Sequence, residues 1–320
     1  MSNRLLISIL LPVTFLFATG NAEAQCFASS GNPVGGSGNL GVMEKKGLRV
    51  MTTYRYHLAS RYFSGDELYH EDNRTLSSAN YNFQGLLLGY GLTKRLSLEA
   101  EGGYYYNKTQ RYRLSQLSLR GYGLSTALVS IKYALYQNKD QRFEFTGAAG
   151  VNIPFSRTLM SVDGVTLPVD LQPSTSSFGI TLQTYLIKEN SFRALRFFWV
   201  NRYERNFENP QGYVFGSIFN SAAFITRHFV FGQGALKDWT LILQARYQSK
   251  NQNIRNDNIV DASGGRMFVV SPQINLSINE TWNISLMYEK PLYQYYHGVQ
   301  LGADYAVVVN LSRDLSLQKK

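Results

Sequence analysis

Residues 239–248, WTLILQARYQ, sort into two faces with a period of two: Trp239, Leu241, Leu243, Ala245 and Tyr247 on one, Thr240, Ile242, Gln244, Arg246 and Gln248 on the other. A helix would scatter the apolar set around its circumference, whereas a strand gathers it on one side. The length, roughly ten residues, suits a tilted strand crossing a bilayer, and an aromatic residue near each end suits its interfacial girdles. The pattern recurs. Leu48, Val50, Thr52, Tyr54 and Tyr56 oppose Arg49, Met51, Thr53, Arg55 and His57. Leu96, Leu98, Ala100, Gly102 and Tyr104 oppose Ser97, Glu99, Glu101 and Gly103, while Ala127, Val129, Ile131, Tyr133 and Leu135 oppose Thr126, Ser130, Lys132 and Ala134. Phe143, Phe145, Gly147, Ala149, Val151 and Ile153 oppose Glu144, Thr146, Ala148, Gly150 and Asn152. Toward the end Phe268, Val270, Ile274, Leu276 and Ile278 form one face, then Trp282, Ile284, Leu286 and Tyr288, then Leu301, Ala303, Tyr305, Val307, Val309 and Leu311, the last set opposing Gly302, Asp304, Ala306, Asn310 and Ser312. Residues 178–186, 195–203 and 213–226 are strand-like through their β-branched and aromatic content, and 81–92 is too uniformly apolar to orient.

These segments make roughly twelve strands, an even number as in bacterial single-chain barrels. Short connections (93–95, 138–141, 189–194, 231–238, 280–281) roughly alternate with long ones (59–80, 115–122, 156–176, 251–266). A membrane barrel with both termini in the periplasm predicts this asymmetry, and a β-sandwich does not. The expected fold is therefore an all-β, antiparallel, up-and-down transmembrane β-barrel over residues 47–320. Twelve strands enclose more space than side chains fill, so the apolar face is expected to meet lipid and the polar face the lumen. Lumenal candidates for selectivity are Arg49, Arg55, Glu99, Glu101, Lys132, Glu144, Arg246, Glu289 and Asp304. Their mixed signs suggest cross-lumen pairs as much as an open channel.

Composition agrees with this picture. Tyr (22), Phe (19) and Gly (27) are abundant, and charged residues are only 17%. Beyond the N-terminus there is no apolar run of about 18 residues for a spanning helix. At the N-terminus Arg4, the apolar core 5–18 and Ala22-Glu23-Ala24 read as a signal peptide over residues 1–25, which addresses the chain to the bacterial outer membrane. Residues 26–46, rich in Gly and Ser, are expected to be a flexible lead or a lumenal plug. Cys26 is the sole cysteine, so no internal disulfide can form. The net charge of +10 fits anionic head groups or solutes better than nucleic acid in an exported chain.

Catalytic and metal motifs are absent from the sequence. No two of His57, His70, His228 and His297 stand at i, i+4, and none precedes the Ser-Asn-Gly run of outer-membrane phospholipase A. The acidic stretch 65–72, GDELYHED, reads as a wet loop and PLYQYYHG (291–298) as part of the outer girdle. The expectation is a non-enzyme with no cofactor, in contact with outer-membrane lipid and a small-molecule solute.

Four stretches, GYGLTKRLSLEAEGGY (89–104), GYGLSTALVSIKYALY (121–136), FTGAAGVNIPFS (145–156) and QPSTSSFGI (172–180), resemble the transporter-like barrels grouped as "meta-pathway of phenol degradation" proteins, relatives of FadL-type channels. The resemblance implies uptake of small, often apolar molecules by passive diffusion, and it carries over no binding residue. The rival expectation is a structural or assembly barrel, its lumen closed by ion pairs and by the lead.

Overall fold

The computed structural model describes residues 41–70, 76–113, 117–190, 195–231, 236–278 and 281–317. Eleven strands form its ring: β1 (Gly47–Gly65), β2 (Leu76–Gly91), β3 (Leu96–Tyr112), β4 (Ala127–Asn138), β5 (Phe143–Ile153), β6 (Gly179–Asn190), β7 (Leu195–Asn206), β8 (Ile218–Val230), β9 (Asp238–Lys250), β10 (Gly265–Ser277) and β11 (Trp282–Ser316). Each pairs antiparallel with the next, and β11 closes on β1 from Gly47↔Ser316 to Ser64↔Val299. Closure leaves no free sheet edge, as a barrel in lipid requires.

β11 crosses the wall twice. Asn310 Nδ2 donates to Ser285 Oγ (3.0 Å), Tyr305 lies 5.8 Å from Tyr288 ring to ring, and Ala303 N donates to Gln294 Oε1 (2.9 Å). These pairs straddle His297 and Gly298, where Gly298 (φ +67°) supplies the left-handed backbone of the turn. The ring is thus traversed twelve times, in agreement with the sequence.

The two faces sort as expected. Leu243 and Ile131, in the middle of their strands, are 48% and 54% exposed, whereas Glu99, Lys132 and Arg246 are 7%, 4% and 3% exposed. Oily side chains look outward and charged ones inward. The unoriented stretch is resolved by register: Gly89 pairs with Arg49 and Glu99, which puts Gly85, Leu87, Gly89 and Gly91 inward and Leu86, Leu88 and Tyr90 outward.

Two expectations need correction. The long connection placed at 59–80 is much shorter, because β1 runs to Gly65 and β2 begins at Leu76; alternation there continues through polar residues that periodicity alone reads as loop. Within the expected loop 115–122, Ser118–Leu124 is a strand pairing with the outer half of β3. The second concerns phase. A bulge shifts the β1–β11 register between Leu58 and Arg61, so Ala303 and Leu301 turn inward and are buried. Asp304 consequently leaves the lumenal set: it pairs with Ser60 and with Arg61, whose side chain is 44% exposed. A bulge adds one residue to one strand, and the inside-outside phase inverts beyond it.

Candidate functional site

The lumen gathers the remaining eight candidates. Arg49 (β1) is held by Asp314 (β11) in a bidentate pair, Nε to Oδ1 at 2.6 Å and Nη2 to Oδ2 at 2.7 Å. Glu99 (β3) and Lys132 (β4) pair at 2.7 Å, with Lys132 Nζ also 4.2 Å from the Tyr185 ring centroid. Arg55 (β1) forks onto Glu289 at 2.8 and 3.2 Å, and Arg246 (β9) reaches the same carboxylate at 3.0 Å. Glu289 is therefore one fully buried acid between two buried arginines from different strands.

Glu101 (β3) meets Arg202 (β7) at 3.1 Å, and Arg202 also approaches Glu204 at 3.5 Å. Three strands separate β3 from β7 in the ring, so this contact is a strut from wall to wall. Sequence reasoning did not place Arg202, Glu204, Lys108 or Asp314. The signal was available in NRYERN (201–206), where Arg202, Glu204 and Asn206 share one face, but Arg205 on the other face blurs the alternation.

Glu144 differs from the other seven. It accepts Val42 N at 3.0 Å and Thr146 Oγ1 at 2.7 Å, while Met43 N donates to Ser97 Oγ at 2.8 Å. Residues 41–43 are thus buried against the inner wall at the short-turn end, and Glu144 serves as their seat. A Cβ on Gly91 would collide with the Glu44 carbonyl, so glycine there is what admits the segment. The rest of the expected lead, 26–40, lies outside the described residues, as do the signal segment and Glu71–Asp72 of the acidic stretch. Replacing Ser97 with Ala should release Met43 N and cost about 1–3 kcal/mol, the usual penalty of a stranded buried donor. The check is faster proteolytic cleavage near residue 43 with the heat-shifted gel band of the folded barrel unchanged.

At the long-loop end Lys108, which faces inward, donates to the Gln172 carbonyl at 2.7 Å. Thr126 Oγ1 meets Thr175 Oγ1 at 2.9 Å, and Asn209 Nδ2 reaches the Thr175 carbonyl at 3.3 Å. The 154–178 connection, with its short 3-10 turn Val169–Leu171, is drawn against the inner face of the mouth by these bonds. Asn253 ties the 207–217 and 251–264 connections together through Tyr213 OH (2.7 Å) and Gly216 N (2.9 Å).

Comparison with solved structures settles the architecture. The COG4313 outer membrane channel from Pseudomonas putida F1 superposes with a TM-score of 0.65 at 11% identity, covering 87% of this chain and 99% of that one. This chain has an outer-membrane barrel fold. The NanC porin (TM-score 0.45, 13% identity, 84% and 100% coverage) and a Pseudomonas aeruginosa FadL homologue (0.42, 8%, 85% and 91%) are more distantly similar. No protein-family model matches the chain, and no curated protein matches it.

Below the ion pairs, the wall from β5 to β9 turns apolar inside. Tyr185, Ile187, Phe198, Val200, Phe224 and Ile242 form a buried cluster with Ala148 and Ala222. Alternation gave no warning, because in these strands apolar residues occupy both faces: Phe197, Trp199, Ile225 and Leu243 point outward beside them. The lumen is thus two-sided, charged around β1, β3 and β11 and apolar low on β5 to β9. Among the described residues no group of His, Cys, Asp and Glu could hold a metal ion.

Proposed function

We propose that this chain is an outer-membrane channel through which small molecules pass by passive diffusion, its lumen narrowed by ion pairs between facing walls. The observation that carries the reading is a row of buried polar atoms along the lumen with no hydrogen-bond partner among the described residues: Nε of Arg55, Arg202 and Arg246, both polar atoms of the Gln273 side chain, and Ser271 Oγ. Buried polar atoms are costly unless hydrogen-bonded, so these atoms call for the water that a hydrated lumen supplies. A packed structural core would favour apolar side chains at those positions, since apolar residues replace buried ion pairs at little or no cost. The apolar low wall beside this polar strip gives a small, partly apolar molecule a face to slide along. The reading includes no catalysis.

The rival, a non-conducting structural or assembly barrel, is favoured by one observation, the near-complete burial of the lumenal charges. Single-channel recording on the refolded full-length protein in planar bilayers separates them. The channel reading expects discrete conductance steps that grow when Arg202 is replaced by Ala and the strut to Glu101 is lost. Absence of conductance and of liposome swelling, both with residues 26–46 and after their deletion, removes it.

A further inference from the structure

On the outer face of the barrel most strands stay apolar to the edge of the belt. On the wall opposite β1, Phe155, Phe178, Ile180, Tyr203, Phe207 and Phe219 are exposed up to the long-loop end. The wall built by β1, β2 and β3 does otherwise, with Tyr104 and Tyr106 of β3 exposed beside its polar band. Its outward positions begin as Leu48, Val50, Leu86, Leu88, Leu96 and Leu98, then change to Gln84, Asn82, Asn80, Asn107, Thr109 and Arg111.

These polar side chains form a connected ladder across three strands. Tyr54 OH donates to Asn82 Oδ1 at 2.6 Å, Asn82 hydrogen-bonds Asn107, and Asn107 Nδ2 reaches Asn80 Oδ1 at 2.9 Å and Thr109 Oγ1 at 3.0 Å. Sideways the ladder continues into rings: Tyr56, the register partner of Asn82, lies 6.0 Å from Tyr305, which lies 5.8 Å from Tyr288. Cations stand along the outer margin of this band. Lys290 follows Tyr288 on the same outward phase, Arg111 follows Thr109, and Arg120 is the register partner of Thr109 with its Nη2 2.7 Å from the Tyr106 carbonyl. Arg61 and Arg266, the latter 4.7 Å from the Tyr295 ring centroid, extend the row. The carboxylates on this side include Asp304, paired with Arg61, Asp66, 3.4 Å from Tyr293 OH, and the exposed Glu67.

We propose that this wall binds the head group of a phosphorylated glycolipid in the outer leaflet. Tyrosine rings sit where hydrocarbon gives way to head groups. Immediately above, amides offer donors and acceptors to sugar hydroxyls, and guanidinium and ammonium groups meet phosphate as charge-assisted partners. A belt merely avoiding water would have no use for five connected amide and hydroxyl side chains on its outer surface, since each is better solvated away from lipid.

The experiment uses the full-length protein refolded in zwitterionic detergent and, as probe, a lipopolysaccharide carrying both glucosamine phosphates, with its dephosphorylated form alongside; binding is read by titration. The triple variant Lys290→Ser, Arg111→Ser, Arg120→Ser is expected to bind about a hundredfold more weakly, roughly fivefold for each charge removed. A control triple of equal charge loss at the short-turn end, Lys94→Ser, Arg227→Ser, Lys237→Ser, is expected to bind as the parent does. A second variant, Asn82→Leu with Asn107→Leu, keeps every charge and should bind about thirtyfold more weakly if the amides contact sugar, each of the two lost polar contacts being worth about 1 kcal/mol. Equal binding of the dephosphorylated probe, or equal weakening in both triples, overturns the proposal. Because no step depends on permeation, a non-conducting barrel leaves it standing.

Discussion

Replacing Glu289 with Ala is expected to destabilise the barrel by about 3–5 kcal/mol, because the change leaves two buried guanidinium groups without their shared carboxylate. Arg55 and Arg246 both end on this one acid, so the parent triad carries one excess positive charge and the variant two, 3.0 Å or less from where the compensating oxygens stood. Removing Arg55 instead leaves Arg246 and Glu289 as a neutral pair, and the cost should be distinctly smaller. Changing all three to Met should bring stability back near the parent value, since a well-packed apolar group replaces a buried ion network at little net cost. Urea titration of the protein refolded into lipid vesicles measures each step. The order Glu289→Ala worst, Arg55→Ala intermediate and the triple mildest is the signature of a shared acid. Should Arg55→Ala prove as costly as Glu289→Ala, the triad does not act as one unit. On the proposed channel reading, conductance gives a second readout: two lumenal cations without their shared acid should raise the preference for anions over cations relative to the parent.

How much of this was legible beforehand depended on alternation. Where one face is apolar and the other polar, as in β3, β4, β5 and β9, alternation placed most inward residues, and Glu99, Lys132, Glu144 and Arg246 lie where it put them, while Leu128, buried on the inner side of β4, escaped it. Asp304 failed for a stated reason: a bulge leaves no mark in composition, yet it inverts the phase of everything beyond it. Arg202 and Glu204 were missed because Arg205, on the opposite face, reads as noise in a period-two pattern. The apolar patch around Phe198 and Phe224 was invisible for a related reason, since a strand apolar on both faces has no period to read. Pairings such as Glu101 with Arg202 join residues far apart in sequence across a cavity. They follow from closure of the ring, which no local pattern encodes.

The widest consequence rests on the outward face. Leu243 sits mid-strand on β9, 48% exposed, between Leu241 and Ala245 on the same face. Were that face in water, Leu243→Arg would be a surface change worth within about 0.5 kcal/mol, and an exposed leucine would gain little from its surroundings. In hydrocarbon the same arginine costs about 2–4 kcal/mol near the midplane, falling to about 0–1 kcal/mol toward the interfaces. The expected result is therefore a gradient along one strand: Leu243→Arg severe, Tyr247→Arg mild. Gln244, one residue away but facing the lumen, supplies the contrast, because Gln244→Leu removes a buried polar group without touching lipid and should leave the gradient intact. Stability is measured in vesicles of two thicknesses. A lipid-facing Leu243 makes the penalty grow in the thicker bilayer, as the arginine has farther to reach for the head groups. A flat profile along β9, insensitive to bilayer thickness, would place this face in water and remove the lumen, its ion pairs and the glycolipid wall from their membrane context together.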